Sequence, residues 1–351
     1  MHGMWWAELL NTIFGIFSST VTVQRTVAVS GSTSPYINVY PWTSGTGFGT
    51  KYSDPATLPS GIGWGTDFIP DGSALAVSYG TASPWVNVYA WSSTGFGTKY
   101  ANPATTPTGT GYGVNFNAQS TNLAVGNGDA GSGSPYINVY PWSAGFGTKY
   151  ANPATLPPAE VTGVNFNPAG TVISMSTTGS PYINAYPFSS GFGTKYANPA
   201  TLPAGAGNSV TFSPSGSDIA IGVSTTPFIQ VYAFSSGFGT KYSDPATLPA
   251  GVGLNSAFNS SGNVLAVGHQ ITPFVSVYPW SAGFGTKYSN PATLPAGNGN
   301  GISFDVTSAD LAVGHAITPF ISIYPFSAGF GTKYANPATL PGGTGRSVSF
   351  I

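Results

Sequence analysis

The sequence predicts an all-β, seven-bladed β-propeller built from four-stranded antiparallel blades. Three observations predict it: a hexapeptide recurs seven times, each repeat unit divides into four short strands, and one first strand stands displaced at the C-terminus. The hexapeptide Gly-Phe-Gly-Thr-Lys-Tyr recurs every 46 to 50 residues, with copies that start at Gly47, Gly95, Gly145, Gly191, Gly237, Gly283 and Gly329. Units of this length bury their apolar faces against one another, so they form one shared body.

The fifth unit illustrates the four strands. Residues 210–212 form a first strand before a Ser-Pro-Ser-Gly turn, and residues 219–222 form an apolar second strand. The third strand, 227–234, is the most aromatic, and the fourth, 239–249, contains the lysine and tyrosine of the hexapeptide. Pro245 has no N–H for a ladder, which predicts that the fourth strand lies at the sheet edge.

The chain termini predict how the ring closes. The first unit starts at a second strand, 27–29, whereas residues 347–350 at the C-terminus repeat a first strand that has no blade of its own. Pairing these two segments completes a seventh blade from one C-terminal and three N-terminal strands. We therefore divide the chain into a propeller, 21–351, and an N-terminal anchor segment, 1–20.

The repeat units resemble WD-repeat propellers over residues 21–351. The string Val-x-Phe-Ser-Pro-x-Gly-x-x-Ile-Ala-Ile-Gly followed by Ile-x-Val-Tyr carries the resemblance, although Tyr232 and its equivalents precede Ala or Pro where that family has Trp-Asp. The resemblance implies the propeller fold and the same closure. The Gly-Phe-Gly-Thr-Lys-Tyr…Asn-Pro-Ala-Thr-Leu-Pro unit also looks like highly repetitive propellers encoded by tailed phages, which implies a virion or fibre-type protein.

Composition limits the partners of the chain. Charged residues make up 5% of it, the formal net charge is −1, and the seven lysines are spread one per hexapeptide. Such a chain offers no basic patch for phosphates, so nucleic acid is not expected as a partner. The absence of cysteine excludes disulfides and thiolate metal sites. We expect no cofactor.

The N-terminal segment 1–19 has the apolar spacing of a helix. It is too short to span a bilayer, and membrane spanning is not expected. Two interpretations stay open: a helix packed on the propeller, or an exposed apolar helix that joins a second copy or other virion proteins. The residues expected to mediate such assembly are Trp5, Trp6, Leu9, Leu10, Ile13, Phe14 and Phe17.

Ligand recognition is predicted where the repeats differ. Four residues before the phenylalanine of each first strand, the chain has Trp64, Tyr112, Thr162, Asn208, Leu254, Asn300 and Arg346. Trp64, Tyr112 and Arg346 belong to consecutive blades in a closed ring, and with Asp129 in a nearby loop they form a candidate binding surface for a host-surface glycan or protein. The nearly invariant hexapeptides are interpreted as structural plugs, with a shallow sugar or peptide site repeated seven times as the alternative.

The sequence shows no recognisable catalytic constellation. Its only glutamates are Glu8 and Glu160, and its aspartates occupy unrelated strand positions, which argues against a pair of carboxylates in one cleft. His269 and His315 are placed in equivalent loops of adjacent blades without a third ligand, and Asp129 is a single carboxylate among glycines. We therefore expect no catalytic residue and no metal site.

These observations predict a non-enzymatic virion structural or adhesion protein, such as a phage fibre or a capsid-decorating subunit. The expected location is the virion or the extracellular space. Two alternatives stay open, an extracellular carbohydrate-binding propeller lectin and a protein-interaction scaffold of the WD-repeat kind.

Overall fold

The computed structural model describes residues 25–128 and 135–351, and these residues form seven antiparallel sheets. In chain order the strands are β1 (Arg25–Gly31), β2 (Ile37–Thr43), β3 (Gly47–Phe48), β4 (Gly63–Phe68), β5 (Ala74–Tyr79), β6 (Val86–Ser92), β7 (Gly95–Lys99), β8 (Gly111–Phe116), β9 (Asn122–Asn127), β10 (Ile137–Pro141), β11 (Val161–Phe166), β12 (Val172–Thr177), β13 (Ile183–Pro187), β14 (Gly207–Phe212), β15 (Asp218–Val223), β16 (Ile229–Phe234), β17 (Phe238–Lys241), β18 (Gly253–Phe258), β19 (Val264–His269), β20 (Val275–Pro279), β21 (Gly299–Phe304), β22 (Asp310–His315), β23 (Ile321–Pro325) and β24 (Gly345–Phe350).

The seven sheets are the blades of a closed propeller. The first strands of neighbouring blades contact each other all the way round, in the order β4, β8, β11, β14, β18, β21, β24 and back to β4. These strands therefore form the innermost ring. The apolar core lies between successive sheets, where the alternating side chains of one blade pack against those of the next.

The number of strands per blade differs from the prediction. Only three sheets have four strands, and the other four have three. In those four blades the third strand carries Pro141, Pro187, Pro279 or Pro325, which has no N–H to give to a fourth strand. Where Ala90 or Ala233 stands at this position, the fourth strand runs for five or four residues. The prediction of seven four-stranded blades is therefore wrong.

The expected N-terminal helix has no counterpart in the described structure. Residues 25–128 and 135–351 contain strands and turns but no α-helix, so the fold of this part is all-β. The helix predicted for 1–19, with its assembly residues from Trp5 to Phe17, lies outside the described residues. Within the described part, no helix is long and apolar enough to cross a membrane.

The predicted closure of the ring is confirmed. β24 pairs antiparallel with β1, with Val27 opposite Phe350 and Val29 opposite Val348. Thr26 and Ile351 extend the pairing by exchanging two backbone hydrogen bonds of 3.0 Å. The first blade is thus built from both ends of the chain.

Charged residues reinforce the seam between the seventh and the first blade. The Arg25 guanidinium pairs with the buried carboxylate of Asp305 and donates a hydrogen bond to the Thr307 hydroxyl at 2.7 Å. Nearby, the buried carboxylate of Asp310 accepts hydrogen bonds from Trp42 Nε1 at 3.0 Å and from the Tyr334 hydroxyl at 2.9 Å. These contacts join blade seven to blade one independently of the backbone ladder.

An aromatic joint connects every blade to the next. The tyrosine of each hexapeptide packs edge-on against the aromatic residue that ends the third strand of the following blade, at centroid distances of 4.8 to 5.7 Å. The seven pairs are Tyr52–Trp91, Tyr100–Trp142, Tyr150–Phe188, Tyr196–Phe234, Tyr242–Trp280, Tyr288–Phe326 and Tyr334–Trp42. Each such pair contributes about 0.5–1.5 kcal/mol beyond the burial of its area.

A buried hydroxyl accompanies six of these joints. The third-strand tyrosine of one blade donates to the carbonyl of the threonine in the Ala-Thr-Leu-Pro or Ala-Thr-Thr-Pro segment of the preceding blade, at 2.8 or 2.9 Å. Tyr232 occupies the seventh position, and its hydroxyl has no hydrogen-bond partner among the described residues. The hexapeptide and the proline-rich segment that follows it thus both bind the neighbouring blade.

We expect the Arg25→Ala variant to lower the free energy of unfolding by about 1–3 kcal/mol, because it leaves the buried Asp305 carboxylate without its cation. Equilibrium unfolding in urea measures the change. Lys51→Ala is the matched control, since the Lys51–Asp54 pair is 46% exposed at its carboxylate and should contribute at most about 0.5 kcal/mol. Equal effects of the two substitutions would contradict a special role for the seam.

Candidate functional site

A central cavity of about 460 Å³ opens where the innermost strands begin. All seven residues of the variable series line it, namely Trp64, Tyr112, Thr162, Asn208, Leu254, Asn300 and Arg346. Each follows a glycine at or next to the start of a first strand, except Thr162, which follows Val161. The repeat thus brings seven different side chains to equivalent places around one axis.

Three of the seven side chains are engaged by the protein itself. Thr162 Oγ1 donates to the Gly207 carbonyl at 2.6 Å, and Asn208 Nδ2 donates to the Gly253 carbonyl at 2.9 Å. Asn300 Nδ2 makes the same contact with the Gly345 carbonyl at 3.1 Å. In each case a side chain reaches the first strand of the next blade, so these residues join blades as well as line the cavity.

Arg346, Trp64 and Tyr112 are brought together as one arc. The Arg346 guanidinium carbon lies 3.8 Å from the centroid of the Trp64 ring. The Trp64 and Tyr112 rings meet edge-on, with centroids 5.2 Å apart and planes at 84°. One face of Trp64 is therefore covered by Arg346.

Glycines in the loops beside the cavity make room for the two rings. A Cβ at Gly80 would lie 3.0 Å from Trp64 Nε1, and a Cβ at Gly128 would lie 2.5 Å from Tyr112 Cε2. Neither backbone could approach its ring so closely with a side chain in place. The equivalent positions in blades six and seven, Gln270 and Ala316, carry side chains and face no such ring.

The Arg346 guanidinium makes no hydrogen bond with the described residues, and its Nε is shielded from solvent. Burial lowers the pKa of Arg346, yet a guanidinium stays charged at neutral pH. A buried N–H without an acceptor costs about 1–3 kcal/mol. The arc thus carries a cation that no described residue pairs with.

A carboxylate lies at the other end of the arc. The pKa of Tyr112 is raised, first by burial and second by the negative charge of Glu160. Glu160 stands two residues before Thr162, at the start of the fourth blade. Among the described residues that line the cavity itself there is no histidine, aspartate or glutamate.

Three amide side chains in the cavity escaped the sequence-based search for site residues. Asn255, Gln270 and Asn298 line the cavity in blades six and seven. Within the part of the chain that the structure describes, their side chains make no hydrogen bond. Two signals were available: Asn298 stands where other units have Ile62, Thr110 or Val252, and Gln270 stands where the seventh blade has Ala316.

Two other sequence-based site predictions have different outcomes. Asp129 falls in the segment 129–134, outside the described residues.

His269 and His315 are predicted to lie in loops, but they end strands β19 and β22 and are fully buried. Their Nε2 atoms lie 3.0 Å from the Ser276 and Ser322 hydroxyls. Burial lowers the pKa of both histidines to about 4, so they are neutral core residues. In the described part of the chain, no group of three metal-ligating side chains occurs.

The seven repeated grooves are occupied by their own side chains. In every blade the lysine ammonium contacts the Asn or Asp three residues later. The phenylalanine packs edge-on between the tyrosine and the Trp or Phe of its own third strand, as Phe48 does between Tyr40 and Trp42. These contacts favour the structural interpretation of the hexapeptide.

A second cavity, of about 320 Å³, lies where the innermost strands end, and Asp67 lines it. Asp67 Oδ2 accepts hydrogen bonds from Phe116 N at 2.7 Å and from Asn115 Nδ2 at 3.1 Å. Burial nevertheless raises the pKa of Asp67 to about 7. Asn115 and Asn165 hold the equivalent position in the next two blades. They accept hydrogen bonds of 2.9 Å from the equivalent backbone N–H groups, those of Phe166 and Phe212.

Solved structures with similar folds come from two kinds of propeller. A candidate 6-phosphogluconolactonase from Bacteroides uniformis ATCC 8492 has a TM-score of 0.67 and 14% identity, over 93% of this chain and 99% of that one. The periplasmic gluconolactonase of Pseudomonas aeruginosa has a TM-score of 0.66 and 14% identity, with the same coverage. The β-propeller domain of Cps50 (Swd1) from Myceliophteria thermophila has a TM-score of 0.58 and 12% identity, over 81% of this chain and 90% of that one.

At these identities the likeness shows the fold, and it confirms the propeller. No family model matches the sequence, and no curated protein matches it either. The likeness to a candidate 6-phosphogluconolactonase and to a gluconolactonase contradicts the interpretation of a non-enzymatic virion or adhesion protein, and none of these three structures supports the phage-type resemblance or the virion location. The prediction that the chain is not an enzyme is corrected on the same ground. The lectin alternative has no counterpart among these three structures.

We expect Asp67→Asn to stabilise the protein at pH 8 and to change little near pH 4. The folded-state pKa of Asp67 is raised above its unfolded value of about 4, so its contribution to stability is present below pH 4 and is lost as the pH rises to about 7. Asp67→Asn removes the carboxylate charge and keeps the acceptor oxygen, so it should raise the free energy of unfolding at pH 8 by on the order of 2–4 kcal/mol. Urea unfolding at both pH values measures the difference.

Asn165→Asp is the reciprocal variant, because it places a carboxylate at the equivalent position of the fourth blade. It should destabilise the protein at pH 8 more than at pH 4. A gain from Asp67→Asn that is the same at both pH values would show that the carboxylate is not protonated in the folded state.

Proposed function

We propose that this protein hydrolyses a sugar lactone bound in the central cavity. The observation that carries the proposal is the set of three unengaged amides, Asn255, Gln270 and Asn298, in a cavity of about 460 Å³. Amide groups both donate and accept hydrogen bonds, which suits the hydroxyl groups of a polyol. The volume lies in the range of about 300–1,000 Å³ that small-molecule sites occupy.

The wall of the cavity combines the groups that such a ligand needs. Amides from blades six and seven face the hydroxyl groups, Arg346 in blade one supplies positive charge, and Trp64 and Tyr112 in blades two and three supply apolar surface. Blades four and five contribute Thr162 and Asn208, whose polar groups are engaged with backbone carbonyls. The ligand would therefore lie against blades six, seven, one, two and three.

Hydrolysis of a lactone needs only modest assistance from this wall. Water adds to the carbonyl carbon, negative charge develops on the carbonyl oxygen, and the ring C–O bond breaks to give a hydroxy acid. Donors aimed at the developing oxyanion lower the barrier, and N–H groups and positive charge are what this wall offers. The proton of the attacking water passes to the leaving alkoxide through solvent in the open cavity.

The names of two similar structures support the proposal, since one is a candidate 6-phosphogluconolactonase and the other is a gluconolactonase. One of them is periplasmic, which supports a location outside the cytoplasm for this protein as well. Self-association through residues 1–19 and recognition of a host surface stay predictions. The net charge of −1 gives no support to a nucleic-acid partner.

The purified protein is expected to accelerate hydrolysis of D-glucono-1,5-lactone above its spontaneous rate, measured as acid release at constant pH. Gln270→Ala copies Ala316 of blade seven, and Asn298→Thr copies Thr110 and Thr344. Both variants keep side chains that the same position tolerates in another blade. Each should raise KM about 3- to 10-fold, because each removes one hydrogen bond worth about 0.5–1.5 kcal/mol.

Asp244→Asn in the outer groove is the control, because five other units already have Asn there. It should leave hydrolysis unchanged. The proposal fails if the wild-type protein does not exceed the spontaneous rate, or if the two cavity variants hydrolyse the lactone as the control does.

A further inference from the structure

The two arginines of the chain have opposite surroundings. Arg25 is paired with the Asp305 carboxylate and with Thr307. Arg346 has no acceptor among the described residues, although it lines a cavity and its Nε is shielded from solvent. A guanidinium has five N–H donors, so Arg346 keeps its full donor capacity within the part of the chain that the structure describes.

The position of the guanidinium is held by packing. The guanidinium carbon of Arg346 lies 3.8 Å from the centroid of the Trp64 ring. Tyr112 of blade three packs edge-on against Trp64. Stacking on an aromatic face leaves the outer edge of the guanidinium plane available for a planar, two-pronged acceptor. Trp64 is thus a positioning residue for Arg346.

The charges around the cavity leave Arg346 without a counter-ion in the described structure. The aspartates Asp305 and Asp310 serve the seam between blades seven and one, and Asp54 and Asp244 pair with lysines of the outer grooves. The negative charge of Glu160 acts on Tyr112.

We infer that Arg346 binds an anionic group of the ligand, so that the substrate is a sugar lactone that carries a phosphate or a carboxylate. Both groups present paired oxygens that match the guanidinium fork. The inference rests on the proposed function and adds to it the charge of the substrate.

Isothermal titration calorimetry with four stable probes tests the inference on the full chain. 6-Phosphogluconate carries both anionic groups, D-glucose 6-phosphate only the phosphate, D-gluconate only the carboxylate, and D-glucose neither. We expect at least one singly charged probe to bind tenfold or more tightly than glucose, and its affinity to fall when the salt concentration rises. Comparison of glucose 6-phosphate with gluconate identifies which anion the arginine prefers.

Arg346→Asn is the decisive variant, because Asn208 and Asn300 occupy the same position in blades five and seven. It should abolish the preference for the charged probe and leave the affinity for glucose unchanged. Arg346→Lys keeps the charge without the fork and should retain only part of the preference. Trp64→Thr copies Thr162 and should weaken binding of the anion several-fold by releasing Arg346. Asp244→Asn, in an outer groove away from the cavity, is the matched control and should not affect the preference.

The outcomes separate this inference from the proposed function. Arginine-dependent binding of an anion by a protein that hydrolyses no lactone would retain the inference and remove the proposed function. Suppose instead that the protein hydrolyses neutral and charged lactones with equal efficiency and that Arg346→Asn leaves this activity unchanged. The proposed function would then be retained and the inference removed. If Arg346→Asn does not fold, equal affinity of the wild type for glucose and all three charged probes is enough to overturn the inference.

Discussion

Neighbouring blades are joined at seven equivalent places by aromatic contacts. A hexapeptide tyrosine packs against the third-strand aromatic of the next blade, and in six joints a buried tyrosine hydroxyl also reaches back to a threonine carbonyl. Together these contacts contribute roughly 1–3 kcal/mol per joint beyond burial of apolar area. A ring closes only if every joint has the same geometry, which explains why Gly-Phe-Gly-Thr-Lys-Tyr is repeated without change while other segments differ.

Because the residues of the joints between blades are constant, the residues at the start of the first strands, near the axis, can vary. The first strands are held by their pairing to the second strands and by contacts with the neighbouring first strands, so a side chain at their start is not needed for the path of the backbone. Some of these positions still serve the fold, as Asn208 and Asn300 do by binding a carbonyl of the next blade. Others, such as Arg346, make no hydrogen bond within the described part of the chain, and these are the positions from which a site can be built.

The sequence predicted the closure and the arc correctly because both follow from the period of the repeat. It predicted four strands in every blade, whereas the fourth strand is longest where the third strand has an N–H at one position, as at Ala90, and is reduced to Gly47–Phe48 beside Pro41 or is missing beside Pro141. It missed Asn255, Gln270 and Asn298 because they stand at three different positions of the unit. The sequence does not separate Asn300, which binds the Gly345 carbonyl, from Asn298, whose side chain makes no hydrogen bond within the described residues, because both are asparagines in the same variable link.

The small number of charges makes each buried charge informative. The ionisable residues at the two ends of the innermost strands carry charges of opposite sign. Arg346 stands where these strands begin, and Asp67 stands where they end. Burial keeps Asp67 protonated below a pKa of about 7, so its carboxyl reaches full negative charge only above neutral pH. The carboxylates of the seam and of the outer grooves are already paired. Arg346 stays charged in the amide-lined cavity, while Asp67 in the opposite cavity holds its proton through mildly acidic pH. The positive charge of Arg346 attracts anions to the amide-lined side. This electric field favours a negatively charged ligand before any specific contact forms.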